Sequence, residues 1–360
     1  MSTSTRSLIT PTSNVLLERA LHDKLSRRAE TIGGLGELEP LAVRIGLIQN
    51  TLKPRFFEPQ LVLFAGDHGL AVEGLPAPPG QGTAERAWQA LTGQLPLAIF
   101  ARIHGLTLSV VDGGVAERLA PHERLLMRKI AHATRNARVG PAMSVEQAQA
   151  AIRAGMEIGD SLAGNMLACA GLAVGGQESA ALMLSRLANT PLRDLLMSRN
   201  DMDPERLNHI LAITQAAHQR HRDVVDPVEV LAAFGGFEIA MMVGLMLVAA
   251  SRRHLIMVDG LPACAALMVA SRIAAPVTDY CVFCRSHSHM GLDVALNLFH
   301  TTALLELGME STDGTGATLA WPLVRAASAL LSDVAEGEDP GPSKPGKLDT
   351  AKTPSGKRAA

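Results

Sequence analysis

The sequence predicts an α/β fold built on a doubly wound, mostly parallel sheet. Four short apolar runs have the character of buried strands, each stops at a polar loop, and helical apolar spacing fills the intervals between them. The runs span residues 60–65, 107–111, 254–258 and 277–283. Strands that alternate with helices form parallel sheets through right-handed crossovers, so ligands are expected beyond the carboxyl ends of these strands.

The remaining segments divide the chain into five expected parts. Residues 1–14 are rich in Ser and Thr, lack the apolar core of a secretory signal, and are expected to be flexible. Residues 15–58 read as helix, glycine turn, helix; residues 59–300 form the α/β core; residues 301–335 are C-terminal helices; residues 336–360 form a disordered tail of Pro, Gly, Lys, Asp and Ser. The helical patterns within the core span residues 84–104, 145–173, 204–221 and 227–250.

Composition narrows the classes of partner. Apolar residues make up 47% of the 360 residues, aromatic residues only 3%, and the formal net charge is -2. We therefore expect an aliphatic core, no aromatic platform for nucleic acid, and no field that attracts an anionic membrane. The longest apolar stretch, residues 239–251, is too short to span a bilayer and predicts a buried helix. A small molecule or another protein is the expected partner.

The four cysteines do not predict a disulfide framework in a chain of this length, and they fit a reducing cytoplasm. Cys281 and Cys284 form a CxxC motif within a β-like run, where residues three apart point to opposite faces. Buried strand thiols are therefore favoured over zinc or redox chemistry, and neither a metal nor a cofactor is expected.

The first three polar loops each allow a functional and a structural interpretation. Asp67 and His68 either bind a sugar hydroxyl or move a proton, or they form a strand-end turn. Asp112 is either a site residue or a turn former. Gly235 and Gly236 precede a long helical run, where exposed amides bind phosphate, although close helix packing also requires glycine.

The last two loops carry the groups most able to do chemistry. His287 and His289 with Asp293 are a possible metal set, but polar contact with a substrate or a satisfied loop is favoured because no further ligands are identifiable. Asp313 is either a base in a pocket or, like Thr315, an N-cap of the helix that follows.

The order of these motifs resembles the nicotinate-nucleotide:dimethylbenzimidazole phosphoribosyltransferases over residues 28–334. The segments that carry the resemblance are GLGELE at 34–39, FAGDHG at 64–69, VVDGGV at 110–115, PAMS at 141–144, GGFEIA at 235–240, DG at 259–260, SH at 286–287 and GTGA at 314–317. The resemblance implies a Rossmann-like sheet, a small helical domain made from both chain ends, and a homodimer with active sites near the subunit interface. It also implies transfer of the phosphoribosyl group of nicotinate mononucleotide to a benzimidazole-type base, with inversion at the anomeric carbon. That transfer forms α-ribazole phosphate for the lower ligand of cobalamin.

The resemblance places the catalytic base at Asp313, where the family has a Glu directly before Gly-Thr-Gly-Ala. The substrate-binding positions it implies are Asp67, His68, Gly69, Gly74, Asp112, Gly235, Gly236, Asp259, Ser286, His287, Gly314, Thr315 and Gly316, with Gly175, Gly176, Glu178, Arg199 and His209 as further candidates. The phosphate-binding glycine loops of the family are shorter or lost here, and Arg86 stands where a Met is usual. Two functions follow from these departures: an active transferase, or a non-catalytic relative that serves as a ligand-binding or partner subunit.

Overall fold

The computed structural model describes residues 9–27, 34–75, 81–197 and 203–333. Its strands are β1 (Gln60–Gly66), β2 (Thr107–Gly114), β3 (Leu125–Met127), β4 (Met166–Leu172), β5 (Leu255–Asp259) and β6 (Cys281–Cys284). Its helices are α1 (Val15–Ser26), α2 (Leu38–Gln49), α3 (Thr83–Leu91), α4 (Pro96–Ile103), α5 (Val145–Ser161), α6 (Gly176–Ala188), α7 (Leu192–Leu196), α8 (Pro204–Arg220), α9 (Pro227–Phe234), α10 (Phe237–Ser251), α11 (Leu261–Ile273), α12 (Met290–Leu298) and α13 (Thr315–Ser332). Two 3-10 turns span Gly69–Glu73 and Ala275–Tyr280.

The six strands form one parallel sheet in the order β3-β2-β1-β4-β5-β6. This is the order of a Rossmann-like sheet, in which the direction of winding reverses between β1 and β4. The predicted fold class is therefore confirmed. The carboxyl ends of all six strands meet at one edge, and the loops after β1 and β4 flank the reversal point.

Helices cover both faces of the sheet. Every residue of β1 and β4 is buried, as expected for parallel strands with a helical layer on each side. On one face, a Cβ on Gly171 of β4 would touch Met242 of α10, and on the other its neighbour Ala170 lies beside Gly314 at the start of α13. Helix α5 packs on the outside of α10, while α3, α4 and α13 contact the strands of the sheet. The expected buried helix is confirmed in α10, where every residue before Ser251 is buried.

The prediction of a single helical pattern over residues 145–173 was wrong. Helix α5 ends at Ser161, Gly164 has a φ of +86°, and residues 166–172 form β4, the strand beside β1. The run MLACAGL contains no β-branched residue and continues the apolar spacing of α5, so periodicity could not separate the strand from a buried helix. The short edge strand β3 was not predicted either.

Three other boundaries differ from the predicted ones. The strand expected at residues 277–283 is confined to β6, because Pro276 opens a 3-10 turn that runs to Tyr280. The helical pattern at 84–104 divides into α3 and α4 near Gly93, and that at 227–250 divides at Gly235 and Gly236. The C-terminal region contains a single described helix, α13, preceded by an irregular segment from residue 301 to residue 314.

The described part of the N-terminal segment is held against the core. Thr12 N donates to Asp279 Oδ2 at 3.0 Å, and the Tyr280 hydroxyl donates to Thr10 O at 2.7 Å. Residues 10 and 12, within the segment expected to be flexible, therefore form hydrogen bonds with the 3-10 turn. Residues 1–8 and 334–360, the latter including the expected tail, lie outside the described residues.

All four cysteines are buried free thiols, two of them at the ends of β6, in agreement with the prediction. Burial raises the pKa of the Cys281 thiol to about 12. Among the described residues, no helix combines the length and apolarity that crossing a membrane requires. No group of His, Cys, Asp and Glu in the same part of the chain is arranged to hold a metal ion. Asp293, a member of the possible metal set, lies 2.6 Å from Arg285 Nη1.

Candidate functional site

A cavity of about 560 Å³ opens beside β4, the strand next to the reversal point of the sheet. Its walls come from the end of β4, the start of α6, helix α3 and the segment before α13. Side chains with chemical function in these walls are Arg86, Gln89, Gln177, His287, Glu310 and Asp313. Ligands of doubly wound sheets bind in such a crevice, so this cavity is the candidate site.

Asp313 and His287 form the central pair of the cavity. Asp313 Oδ1 lies 2.8 Å from His287 Nε2, and the Asp313 side chain is 5% exposed. Burial lowers the pKa of His287, but the charge and hydrogen bond of Asp313, together with the charges of Asp259 and Glu310, outweigh burial and leave that pKa raised. Arg86, half-buried on α3, donates to the Thr312 hydroxyl and places a positive charge near Asp313. The arrangement can take up a proton and can hold an anionic or polar group.

Gly260 makes this position of Asp313 possible. Its φ is +93°, a conformation that favours glycine, and a Cβ there would overlap the Asp313 carboxylate. The carboxylate therefore rests against bare backbone at the end of β5. This is a steric requirement for glycine, independent of any phosphate.

Asp259 and Ser286 hold the start of α13 between the ends of β5 and β6. Asp259 Oδ2 accepts from Ser286 Oγ at 2.7 Å, from Gly314 N at 3.0 Å and from Ala317 N at 2.9 Å. Ser286 Oγ in turn accepts from Gly316 N at 2.8 Å. Burial, together with the charge of Asp313, raises the pKa of Asp259 to about 6. Ser286 Oγ and Asp259 Oδ2 thus fix the segment that carries Asp313, while the buried Asp259 Oδ1 has no hydrogen-bond partner among the described residues.

Glycine and threonine residues at this helix start serve packing as well. A Cβ on Gly316 would overlap Arg285 O, so only glycine lets α13 approach β6 this closely. Thr315 Oγ1 donates to Thr312 O at 2.6 Å, which closes the turn around Asp313. The N-cap of α13 is Gly314, and the first amides of the helix donate to Ser286 and Asp259. The interpretation of Asp313 or Thr315 as the N-cap was therefore wrong, and Asp313 faces the cavity.

Asp67 and Asp112 are engaged within the chain and do not line the cavity. Asp67 accepts from Thr83 Oγ1 at 2.5 Å and from Ala116 N at 2.7 Å. Asp112 is fully buried, accepts from Val115 N at 3.0 Å, and lies 3.2 Å from the Lys129 ammonium. Each carboxylate joins a strand end to a neighbouring segment.

His68 forms a buried ion pair that sequence reasoning did not identify. Its Nε2 lies 2.6 Å from Glu238 Oε1, and the two side chains are 2% and 0% exposed. Burial lowers the pKa of His68, yet the Glu238 charge prevails and that pKa is raised. The signal was present, since Glu238 is the single charged residue in the apolar sequence of α10. The pair presses against Gly236, whose Cβ would overlap the Glu238 carboxylate.

The other glycines of the prediction mark close backbone contacts. Gly69 packs against the backbone of Arg135, and Gly235 packs against Leu231. Gly74 has a φ of +93° and lies beside His209, whose Nε2 is 3.0 Å from Glu73 O. None of these residues lines the cavity.

The start of α6 brings the weaker candidates near the cavity. Gly175, with a φ of +82°, is the N-cap of α6, and Gly176 is its first residue. Gln177 lines the cavity and was not predicted as a site residue. The predicted Glu178 does not line the cavity, and burial raises its pKa. Arg199 lies outside the described residues.

A larger groove of about 840 Å³ lies elsewhere, between residues 135–145 and α9. Ser144 in its wall forms a capping box with Gln147 at the start of α5. None of the predicted site residues that the structure describes lines this groove, so it is not the candidate site.

Comparison with known proteins gives concordant results. The family model described as Phosphoribosyltransferase matches residues 10–341. The nicotinate-nucleotide–dimethylbenzimidazole phosphoribosyltransferases of Cupriavidus necator and Dechloromonas aromatica are 39% and 38% identical over 333 and 331 residues. These matches cover 91% and 90% of this chain and 95% of each relative. The crystal structure of CobT from Thermus thermophilus matches with a TM-score of 0.82 at 28% identity, covering 88% of this chain and 96% of that one.

Proposed function

This chain belongs to the nicotinate-nucleotide:dimethylbenzimidazole phosphoribosyltransferase family, and we propose that it transfers the phosphoribosyl group of nicotinate mononucleotide to a benzimidazole-type base. The product is α-ribazole phosphate, used for the lower ligand of cobalamin. The observation that carries the proposal is the buried Asp313 carboxylate in a cavity at the carboxyl edge of the sheet, at the position of the family's base.

The reaction makes one bond, breaks one bond and moves one proton. A ring nitrogen of the acceptor attacks the anomeric carbon, and the bond from that carbon to nicotinate breaks with its electron pair on the nicotinate nitrogen. The acceptor's N–H proton must leave, and its removal depends on Asp313. Positive charge that develops at the anomeric carbon faces a wall that carries the carboxylates of Glu310 and Asp313.

The proposed site residues fall into two groups. His287 and Asp313 face the substrates, together with Arg86 and Gln177, which line the same cavity. Other predicted residues do not line the cavity and support it from behind. Those that hold the start of α13 are Asp259, Ser286, Gly314, Thr315 and Gly316, and those that hold the loops after β1 and β2 and the start of α10 are Asp67, His68, Gly69, Gly74, Asp112, Gly235 and Gly236. For the phosphate we propose the amides of Gly175 and Gly176 at the start of α6, with Arg199 as the charged donor.

Release of nicotinate tests the proposal directly. Purified protein is incubated with nicotinate mononucleotide and 5,6-dimethylbenzimidazole, with adenine and phenols as further acceptors, and free nicotinate is quantified by chromatography. We expect acceptor-dependent turnover, and Asp313→Ala should lower kcat at least about 100-fold. Asp23→Ala is the control, since it removes an exposed carboxylate on α1. Absence of nicotinate with every acceptor would contradict the transferase function and favour the ligand-binding subunit.

We also propose that the protein acts as a homodimer in the cytoplasm and that α1, α2 and α13 form its small helical domain. Contacts of α13 with α1 and α2 support the domain, and four unpaired thiols suit a reducing compartment. Light scattering coupled to size exclusion tests the dimer, because a monomer has half the mass at every concentration.

A further inference from the structure

The accessible group of the central pair is the imidazole of His287 rather than the carboxylate of Asp313. One carboxylate oxygen is taken by His287 Nε2, and the other rests against Gly260. The Asp313 side chain is 5% exposed, whereas that of His287 is 15% exposed. A substrate in the cavity therefore meets the imidazole edge more readily than a free carboxylate oxygen.

Neighbouring segments hold the backbone that carries this imidazole, and the hydrogen bond to Asp313 engages its Nε2. Arg285 Nε donates to His287 O at 3.2 Å, and Ser288 N donates to Met309 O at 3.1 Å. His287 also forms an isolated antiparallel bridge with Glu310. Within the described part of the chain, His287 Nδ1 has no hydrogen-bond partner. With Nε2–H donated to Asp313, Nδ1 carries a lone pair and can accept a proton.

We propose that His287 Nδ1 receives the acceptor's proton and that Asp313 is the positioning residue that orients the ring and pairs with the imidazolium. This inference rests on the proposed function. As the acceptor nitrogen bonds to the anomeric carbon and nicotinate leaves with its electron pair, the acceptor's other nitrogen loses its proton to Nδ1. The Nε2–H stays hydrogen-bonded to Asp313 Oδ1, so charge and protons balance.

The dyad of His287 and Asp313 accounts for the shorter acid at position 313. Asp lacks one methylene of the family's Glu, which shortens its reach by about 1 Å, and a displacement of that size is costly for a proton transfer. An imidazole placed between carboxylate and substrate spans the missing distance. In hydrolases of unrelated folds, an imidazole is an effective proton acceptor when a carboxylate orients the ring and stabilises its charged form.

Charged groups on several segments act on the imidazole. They are Asp313, Asp259 and Glu310, with Arg285 on the same loop and Arg86 across Asp313. The three carboxylates outweigh burial and leave the pKa of His287 raised, while burial and His287 lower the pKa of His289 to about 4. Because proton uptake needs the neutral ring, the rate should rise with pH through a pKa above the ordinary value of about 6.5.

Three variants separate the dyad from a lone carboxylate. His287→Gln retains an amide that can donate to Asp313 but cannot take a proton, so we expect kcat to fall about 100- to 10,000-fold with the Tm preserved. His287→Ala should lose as much activity and regain part of it with added imidazole. Asp313→Glu should not raise activity, because the longer acid displaces the ring. His22→Gln on the exposed face of α1 is the matched control and should keep full activity.

The outcomes distinguish failure of the dyad from failure of the function. Wild-type turnover with an unaffected His287→Gln, or a gain of activity in Asp313→Glu, overturns the dyad and leaves the transferase intact. The acceptor's own ionisation is common to all variants and cancels in the ratio of the wild-type and His287→Gln pH profiles. If neither the wild type nor any variant shows turnover, the 15N chemical shifts of the His287 ring still test the dyad. We expect the Nε2–H tautomer of His287 with a pKa above 6.5, and we expect this pKa to fall in Asp313→Asn. An Nδ1–H tautomer overturns the dyad.

Discussion

Removal of the Glu238 carboxylate is expected to destabilise the protein more than any single surface change. Glu238→Ala leaves His68 buried without its opposite charge, in contact with Gly236 and with the Gly175 turn. A buried pair that loses one partner costs about 3–5 kcal/mol, since the remaining group keeps its desolvation penalty without the compensating attraction. Replacement of both groups by apolar side chains, as in His68→Leu with Glu238→Met, should cost much less than the two single changes combined.

The expected change in Tm follows from the size of the chain. An unfolding entropy of about 2 cal/mol/K per residue gives about 0.7 kcal/mol/K for this protein. The loss of about 3–5 kcal/mol therefore lowers the Tm by about 4–7 °C. Glu157→Ala, an exposed carboxylate on α5, is the control and should shift stability by less than about 0.5 kcal/mol.

The loss of stability in Glu238→Ala should also depend on pH. Since Glu238 raises the folded pKa of His68, the pair stabilises the wild type fully below the unfolded value of about 6.5, and this contribution is lost as pH rises through the folded pKa. In Glu238→Ala, burial favours neutral His68, so folding is penalised at low pH. The difference in Tm between the two proteins should therefore be larger at pH 6 than at pH 9.

Calorimetry at both pH values and nicotinate release at pH 8 measure these effects. Activity should fall as well, because His68 packs against Gly175 at the start of α6, which carries Gln177 into the cavity. A fall in Tm of less than 1 °C at pH 6 in Glu238→Ala would show that the His68–Glu238 pair does not stabilise the fold. Additivity of His68→Leu and Glu238→Met would equally show that the pair is not coupled.

Three further changes test the segment around α13. Gly260→Ala should lower kcat at least about 10-fold, since a Cβ overlaps the Asp313 carboxylate and the φ of +93° disfavours Ala; unchanged nicotinate release would contradict the placement of Asp313. The pKa of Asp259 is raised to about 6, so wild-type stability should fall as pH rises from about 4 to 7. Urea titrations of Asp259→Asn should show a weaker dependence of stability on pH, and an identical dependence would exclude Asp259 as its cause. Gly316→Ala should cost about 1–3 kcal/mol in thermal unfolding because its Cβ meets Arg285 O, and an unshifted Tm would show that α13 can move away freely.

Local sequence determined much of the scaffold. The apolar runs of β1, β2 and β5 end at glycine-containing loops, and this pattern alone indicated parallel strands with a ligand site at their carboxyl ends. Strand β4 was not predicted because its small residues continue the apolar spacing of α5. Its assignment as a strand depends on pairing with β1 and β5, and pairing is not encoded in a local period.

The sequence also singled out the loops that meet at the carboxyl edge, since motif order and strand-end position are properties of the chain itself. The sequence could not assign a structural or functional role to each side chain at this edge. Asp67 and Asp259 resemble site residues in sequence, but neighbours distant in the chain occupy their carboxylates, whereas Asp313 reaches the cavity because Gly260 lacks a side chain. Only the tertiary structure decides which polar groups remain available to a substrate. Packing determines whether donors from distant segments of the chain reach a given carboxylate.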